Sequence, residues 1–404
     1  MTAFQATRPL RAYAGVVLAA LMPTMLLAGA GSVDQAATRA GAGEVRNVVI
    51  AGFAAPAPPT LGAASGILID PSDGRVLWER ASRQRRAIAS TTKILTALVV
   101  IENTKPSDRV TASARAESVG SNDPIVTELE LTAGETLTVE HLLYGLLLVS
   151  ASDAAVALAE HVAGSVARFA RMMDERAREL GARDSHFTNA DGLDDPNHYS
   201  TALDLSKIAS AAMRNEFFNR IVATRNYQIP WQGRPQPRML VNRNQLLGQF
   251  AGINGVKTGN TRVAGPSLVA SAQRQGESRL TVLLNSPEPF RESAALLEYG
   301  FSAFRRFVIS TNNRPWGQLT YGDGTSPKLV AARDVTVLVG VSSPDPPSRY
   351  DTARRAIVVE LPERVTIPVE IRCSGPPCQL PVEGGNSALA SFMSVFAPIL
   401  AIFR

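Results

Sequence analysis

Ser90 and Lys93, in "AIASTTKILTALVV" (87–100), stand three residues apart. Positions i and i+3 are neighbours on a helix, so the Lys93 amine can reach the Ser90 oxygen. That would set a nucleophile beside a base. A helix start also leaves backbone N–H groups that can hold an oxyanion. The same residues fit a plainer role. Ser90 is a good N-cap, and Ile94, Leu95, Leu98 and Val99 share one buried helical face. Lysine usage sharpens the choice. Only five of the 41 basic residues are Lys, at 93, 105, 207, 257 and 328. Arginine keeps its proton in a protein, whereas a buried lysine near another cation can lose it. Ser90–Lys93 is the only Ser-x-x-Lys in the chain.

Two further groups carry chemistry. "GVKTGNT" places Lys257, Thr258 and Gly259 on one strand, where a lysine and a hydroxyl can both reach an anion. Gly259 lets the backbone approach closely, and the Asn260 N–H could then face a reacting oxygen. A solvated lysine on an edge strand is the alternative. Ser150, in "LLVSASDAAVALAE", follows an apolar run and precedes a helix that Ser152 or Asp153 could cap.

The elements that must hold these groups are legible in outline. "ASGILIDPSDGRVLWER" reads as a β-hairpin around Pro-Ser-Asp-Gly. The Ser90 helix follows. "SDAAVALAEHVAGSVARFARMMDERARELG" reads as one strong helix ending at Gly181, and "TALDLSKIASAAM" as another. "VKTGNTRVAGPSLVASAQRQGESRLTVLLN" reads as two strands joined by a turn, and "FRESAALLEYGFSAFRRF" as a closing helix. Strands at both ends with helices between predict α+β, an antiparallel sheet covered by helices. After Phe307, "DVTVLVGV" and "RVTIPVEIRC" alternate at period two, as in a small all-β domain.

Ser-x-x-Lys, then Ser-x-polar, then Lys-Thr-Gly is the order found in penicillin-binding proteins and serine β-lactamases. The surrounding residues resemble the exported D-alanyl-D-alanine carboxypeptidases, the low-molecular-weight penicillin-binding proteins of peptidase family S11. The resemblance rests on "GILIDPSDGRVLWER", "ASTTKILTALVV", "LTVEHLLYGLLLVSASDAAVALAEHVAG", "FTNADGLDDPNHYSTALDL", "NRNQLL" and "GVKTGNTRVAGPSLVASAQRQG". It covers about 61 to 307. It implies a transpeptidase-like α+β fold and removal of the terminal D-alanine from peptidoglycan stem peptides. It also implies acylation by β-lactams and no cofactor or metal. By the same resemblance Ser90 is the nucleophile, Lys93 its base and Ser150 a proton relay. Lys257 and Thr258 would hold the terminal carboxylate, beside Gly259. The N–H groups of Ser90 and Asn260 would form the oxyanion hole. Two ammonium groups near one site are expected to depress each other's pKa. The chain departs from the family pattern in places. Ser152 stands where Asn is usual, Asn254 where Asp is usual, and the segment before Leu131 looks long. These keep a catalytically weak or non-catalytic envelope protein open. A β-lactamase is disfavoured, because no Glu-x-x-Leu-Asn lies between Ser150 and Lys257.

The rest of the chain sets the context. Its 404 residues favour more than one domain, and 45% hydrophobic with 19% charged residues suits a globular protein. A formal charge of +5 suits nucleic acid, an anionic membrane or an anionic polymer. Arg8 and Arg11 precede an uncharged run that ends Ala28-Gly29-Ala30, the pattern of an export signal over 1–30. An uncleaved anchor is the alternative. Export argues against nucleic acid as a partner. Residues 31–60 are Ala, Gly and Pro rich, as in a tether. The predicted catalytic domain spans 61–308 and the small β domain 309–385. An apolar helix over 386–404 is expected to lie on a membrane surface. Cys373 and Cys378 can close a disulfide in an exported protein. His141, His161, His186 and His198 form no metal motif, and "RQRR" (83–86) reads as a solvated loop.

Overall fold

The computed structural model describes residues 55–119, 126–310, 315–318, 328–332, 334–342, 348–351, 356–361 and 365–374. The expected export signal, most of the tether, Cys378 and the apolar tail lie outside the described residues, so the disulfide and membrane expectations lie there too.

The chain opens with a hairpin, β1 (Ser65–Asp70) and β2 (Arg75–Arg80). A 3-10 turn, Ala89–Thr92, leads into α1 (Lys93–Asn103). Next come β3 (Arg109–Thr111), α2 (Ala114–Ser118), β4 (Thr136–Thr138) and α3 (Val139–Tyr144), which runs into a π-helical turn, Gly145–Val149. Helices α4 (Ser152–Ala163), α5 (Val166–Glu179), α6 (Ala202–Met213) and α7 (Glu216–Ala223) follow, then the hairpin β5 (Asn226–Ile229) and β6 (Arg238–Val241). Three strands, β7 (Ile253–Gly259), β8 (Ser267–Arg274) and β9 (Glu277–Leu284), precede α8 (Pro289–Ser302).

These strands make one antiparallel sheet in the order β2-β1-β9-β8-β7. Strand periodicity puts alternate residues on opposite faces. Ile67 and Ile69 join the large core that includes Ile94, Leu98, Phe169 and Val282. Leu68, between them, packs with Leu283 and Leu296 on the other face. Both faces are therefore covered: α6 packs on β1 and β9 on one, α8 on β8 and β9 on the other. Helix α1 is enclosed, with Lys93 to Val100 all buried. Truncating Ile94 or Leu95 to Ala there would cost about 2–5 kcal/mol.

Three elements differ from the sequence reading. The long helix is two, broken at Gly164, which adopts φ +70°. Ser165 then caps the next helix by accepting from the Arg168 N–H. A left-handed Gly followed by a capping Ser is a stop and a start in succession. The Lys257 region has three strands, not two, because the turn after Gly259 returns through β8 before β9. The closing helix ends at Ser302, and Phe304–Ser310 is a strand, β10. Beyond it, β11 (Pro315–Gln318), β12 (Lys328–Ala331), β13 (Val335–Gly340), β14 (Ser348–Asp351), β15 (Ala356–Leu361) and β16 (Val365–Ser374) are all strands. β10 pairs with β13, and the others order as β11-β12-β16-β15-β14. No helix among the described residues is long and apolar enough to cross a membrane.

Candidate active site

Ser90 does not cap α1. It lies inside the 3-10 turn, whose N-cap position is Ile88 without a side-chain cap. Thr91 and Thr92 each turn a hydroxyl back to a carbonyl three residues earlier, Ile88 O at 2.6 Å and Ala89 O at 2.8 Å. Ala89 is held at φ +47°. A residue with a β-carbon in that region stores of order 1–3 kcal/mol, so its neighbours must hold it there. Gly259 approaches this turn so closely that a Cβ would lie 3.2 Å from Ile88 O and from Thr91 N.

Lys93 begins α1 and is 1% exposed. Its Nζ lies 3.0 Å from Ser90 Oγ, 3.3 Å from Ser152 Oγ and 2.5 Å from Asp191 O. Burial lowers its pKa to about 8, opposed by Asp191 and Asp153 and aided by Arg243. The main cause is therefore desolvation; the cation that adds to it is Arg243. A neutral amine has two N–H groups and one lone pair. Donating to Asp191 O and Ser152 Oγ leaves the lone pair for the Ser90 proton.

Ser150 has left-handed backbone, φ +70°, and is 6% exposed in the wall of the cleft. Neither Ser152 nor Asp153 caps α4; Ala151 holds the N-cap position without a side-chain cap. The Ser152 N–H instead donates to Thr127 O at 2.8 Å. The Asp153 carboxylate accepts from the Leu129 N–H (2.8 Å) and the Leu131 N–H (3.0 Å). The segment before Leu131 is thus strapped to the start of α4, and Val126 and Thr127 line the cleft. Farther along, Glu135 takes a two-pronged, buried ion pair from Arg238 at 2.6 and 2.9 Å.

Lys257 lies on β7 next to Thr258, close enough to Lys93 and Arg243 to feel their charges. It is 1% exposed, and its Nζ donates to Thr258 O at 2.9 Å. Burial, then Lys93 and Arg243, push its pKa well below the ordinary lysine value. Thr258, Gly259 and Asn260 line the cleft, which has a volume of about 820 Å³ and includes Ser90, Ser150, Ser152 and Arg243. Ser90, Ser150, Ser152, Thr258, Gly259 and Asn260 therefore line one cleft, with Lys93 bonded to two of them and Lys257 buried nearby. Asn254 sits at the bulge in β7, its buried Oδ1 without a hydrogen-bond partner among the described residues. An ionised Asp in its place would be an unpaired buried charge.

Arg243 was missed by the sequence reading. The signal was the "NRN" of 242–244. Asn242 Nδ2 donates to Val222 O and Thr224 O, and Asn244 Nδ2 to Gly255 O. The two amides pin the backbone on either side, and the arginine between them lines the cleft.

The comparisons agree with this geometry. The family described as D-alanyl-D-alanine carboxypeptidase, Peptidase S11, matches residues 53–288, more than half of the chain. The chain belongs to that family. The Haemophilus influenzae D-alanyl-D-alanine carboxypeptidase DacA is 32% identical over 324 residues, 75% of this chain and 79% of that protein. The Bacillus subtilis carboxypeptidase DacF is 32% identical over 260 residues, 62% of this chain; the match spans 65% of that relative's length. Among solved structures, the Streptomyces K15 DD-transpeptidase superposes with a TM-score of 0.58 at 34% identity, covering 61% of this chain and 99% of that one. Penicillin-binding protein 5 of Haemophilus influenzae gives 0.66 at 28% identity, covering 79% and 98%. Membership fixes the reaction class: a serine-type D-Ala-D-Ala peptidase working through an acyl-enzyme.

Proposed function

We propose that the chain removes the terminal D-alanine from peptidoglycan stem pentapeptides, with Ser90 as the acylated residue. The observation that carries the assignment is the Lys93 amine, set between Ser90 Oγ, Ser152 Oγ and Asp191 O. Neutral Lys93 takes the Ser90 proton as Oγ attacks the penultimate carbonyl. The N–H groups of Ser90 and Asn260 hold the oxyanion. Lys257, Thr258 and Arg243 receive the terminal carboxylate, while Gly259 allows the strand to close on the turn. When the C–N bond breaks, the leaving amine takes a proton from Lys93 through Ser150, and D-alanine departs. Water then attacks the ester, with Lys93 again as base, and releases the shortened peptide. A β-lactam offers a carboxylate and a strained amide to the same groups. Ser152 replaces a longer amide, which favours slow turnover over loss of the chemistry.

Two measurements test this. Benzylpenicillin is expected to add once to the protein, on Ser90, and the Ser90→Ala variant is expected to take none. A peptide ending in D-Ala-D-Ala is expected to release D-alanine. An adduct that persists on the Ala variant would overturn the Ser90 assignment. D-alanine release undetectable from an enzyme that still acylates would favour the non-hydrolytic reading.

We also infer export through residues 1–30 and attachment to a membrane surface through 386–404. The support is the apolar pattern of Leu389, Phe392, Met393, Phe396, Ile399, Leu400 and Phe403. A chain ending at Gly385 is expected in the soluble fraction after signal cleavage. Its retention in the membrane would place the anchor elsewhere.

A further inference from the structure

His198 lies off the cleft, 4% exposed, yet it touches the turn that carries Ser90. The Thr188 N–H donates to its Nδ1 at 3.2 Å. Nδ1 is therefore the unprotonated nitrogen, and Nε2 carries the hydrogen. Nε2 lies 2.8 Å from Thr92 Oγ1, and the Thr92 hydroxyl donates to Ala89 O at 2.8 Å. The direction of the chain is fixed: Thr188 N–H to His198, His198 to Thr92, Thr92 to Ala89 O. It ends on the carbonyl of the residue held at φ +47°, directly before Ser90.

The same loop also holds the start of α1. Ala190 O accepts from Thr96 Oγ1 at 2.6 Å, and Asp191 O accepts from Lys93 Nζ. Gly192 packs so tightly on the turn that a Cβ would lie 2.0 Å from Ala89 O and 2.8 Å from Thr92 Oγ1. Loop and turn are thus fitted to each other along their length, and His198 joins Lys93 and Thr96 as a side chain that bonds to both. Its ring packs at right angles to that of Phe187, with centroids 5.5 Å apart at 89°, which fixes the ring plane.

We propose that neutral His198 is a positioning residue, which through Thr92 and Thr188 holds Ser90 and the Asp191 carbonyl in register with Lys93. The proposal rests on Ser90 as nucleophile and Lys93 as base. The titratable groups acting on His198 are Asp195, His186, Asp194 and Lys93. Burial is the largest influence and lowers its pKa to about 4, so it stays neutral where the enzyme would work. Lys93 is faced by Asp191, Asp153 and Arg243, and its charge reaches Lys257 on β7. A carbonyl that accepts from an ammonium favours the charged form. Releasing the Asp191 carbonyl therefore lowers the Lys93 pKa.

The test is the pH profile of acylation by benzylpenicillin, with active sites titrated in parallel. His198→Ala is expected to lower the high-pH plateau rate about tenfold, the worth of one positioned hydrogen bond, and to move the midpoint below the wild-type value. Loss of folded protein would instead lower the active-site titre and leave the midpoint in place. His198→Gln offers an acceptor to Thr188 and a donor to Thr92, so it is expected to restore both rate and midpoint. Thr92→Val removes the hydroxyl at constant shape and is expected to reproduce the Ala result; it decides the matter if His198→Ala does not fold. Wild-type rate and midpoint in His198→Ala or, failing that, in Thr92→Val would overturn the proposal. So would losses that match the active-site titre alone. A wild-type protein that takes no benzylpenicillin on Ser90 would remove the proposed function itself, before any variant is compared.

Discussion

Lys93 on α1 and Lys257 on β7 are buried beside one cleft, and each is 1% exposed. Their surroundings differ in kind. The Lys93 amine has three oxygens within 3.3 Å, and two carboxylates, Asp191 and Asp153, pull its pKa upward against burial. The Lys257 amine has one carbonyl at 2.9 Å, and the charges that act on it are both cations, Lys93 and Arg243. The helix wall thus balances its lysine near neutrality, where a base must sit to accept and return a proton. The strand wall leaves its lysine short of negative charge. A carboxylate entering the cleft would supply that charge and bring Lys257 back toward its ordinary pKa. One residue type, equally buried, becomes a base on one wall and an anion receptor on the other.

The largest break in this comparison is Lys93→Arg. It keeps a cation on the helix wall but removes the group that can give up a proton. Acylation of Ser90 is expected to fall by about 10³-fold or more, the upper range for loss of a general base. Stopped-flow acylation by a β-lactam measures it, and a loss under tenfold would mean that Lys93 is not the base. Lys257→Met comes next. It keeps the stem and removes the charge, so kcat/KM on a D-Ala-D-Ala peptide is expected to fall about 10- to 100-fold, as for one hydrogen bond to a charged group. A peptide ending in a carboxamide gives the control: wild type should handle it poorly, and the Met variant should lose little further. An equal loss on both peptides would show that Lys257 does not read the carboxylate.

The two walls were not equally legible in the sequence. Ser90, Lys93 and Lys257 stand in short motifs whose spacing survives any change of loop length. The sheet that joins them was visible as alternating apolar runs. The partners that tune the lysines were not visible. Asp191 reaches Lys93 through its carbonyl as well as by its charge, and no side-chain pattern can reveal the first. Arg243 was one arginine among many until the amides beside it were seen to pin it. His198 was read only as part of no metal motif, because its partners, Thr92 and Thr188, lie on separate segments. The helix break at Gly164 and the end of α8 before Phe304 were missed for a simpler reason. Apolar periodicity continues across both, and only the cap or the strand pairing shows where the helix stops.

Arg243 offers the smallest and most discriminating perturbation, because it lowers the pKa of both lysines. Arg243→Gln removes a cation from the cleft lining and keeps a polar side chain there. With less positive charge nearby, the protonated form of Lys93 becomes easier to hold, so its pKa rises above about 8. Acylation needs the neutral amine, so the midpoint of the rate against pH moves up. For an exposed and partly screened charge the shift is expected to be about half a unit, or about threefold in rate at pH 7. Well above the midpoint Lys93 is neutral in either protein, and the two rates should converge. A contribution of Arg243 to carboxylate binding acts differently: it raises KM by a similar factor at every pH. Measuring the acylation constant at saturating β-lactam separates the two. A midpoint that moves down, or a rate loss that persists above pH 10, would mean that Arg243 acts on the geometry of Ser90 rather than on the charge of Lys93.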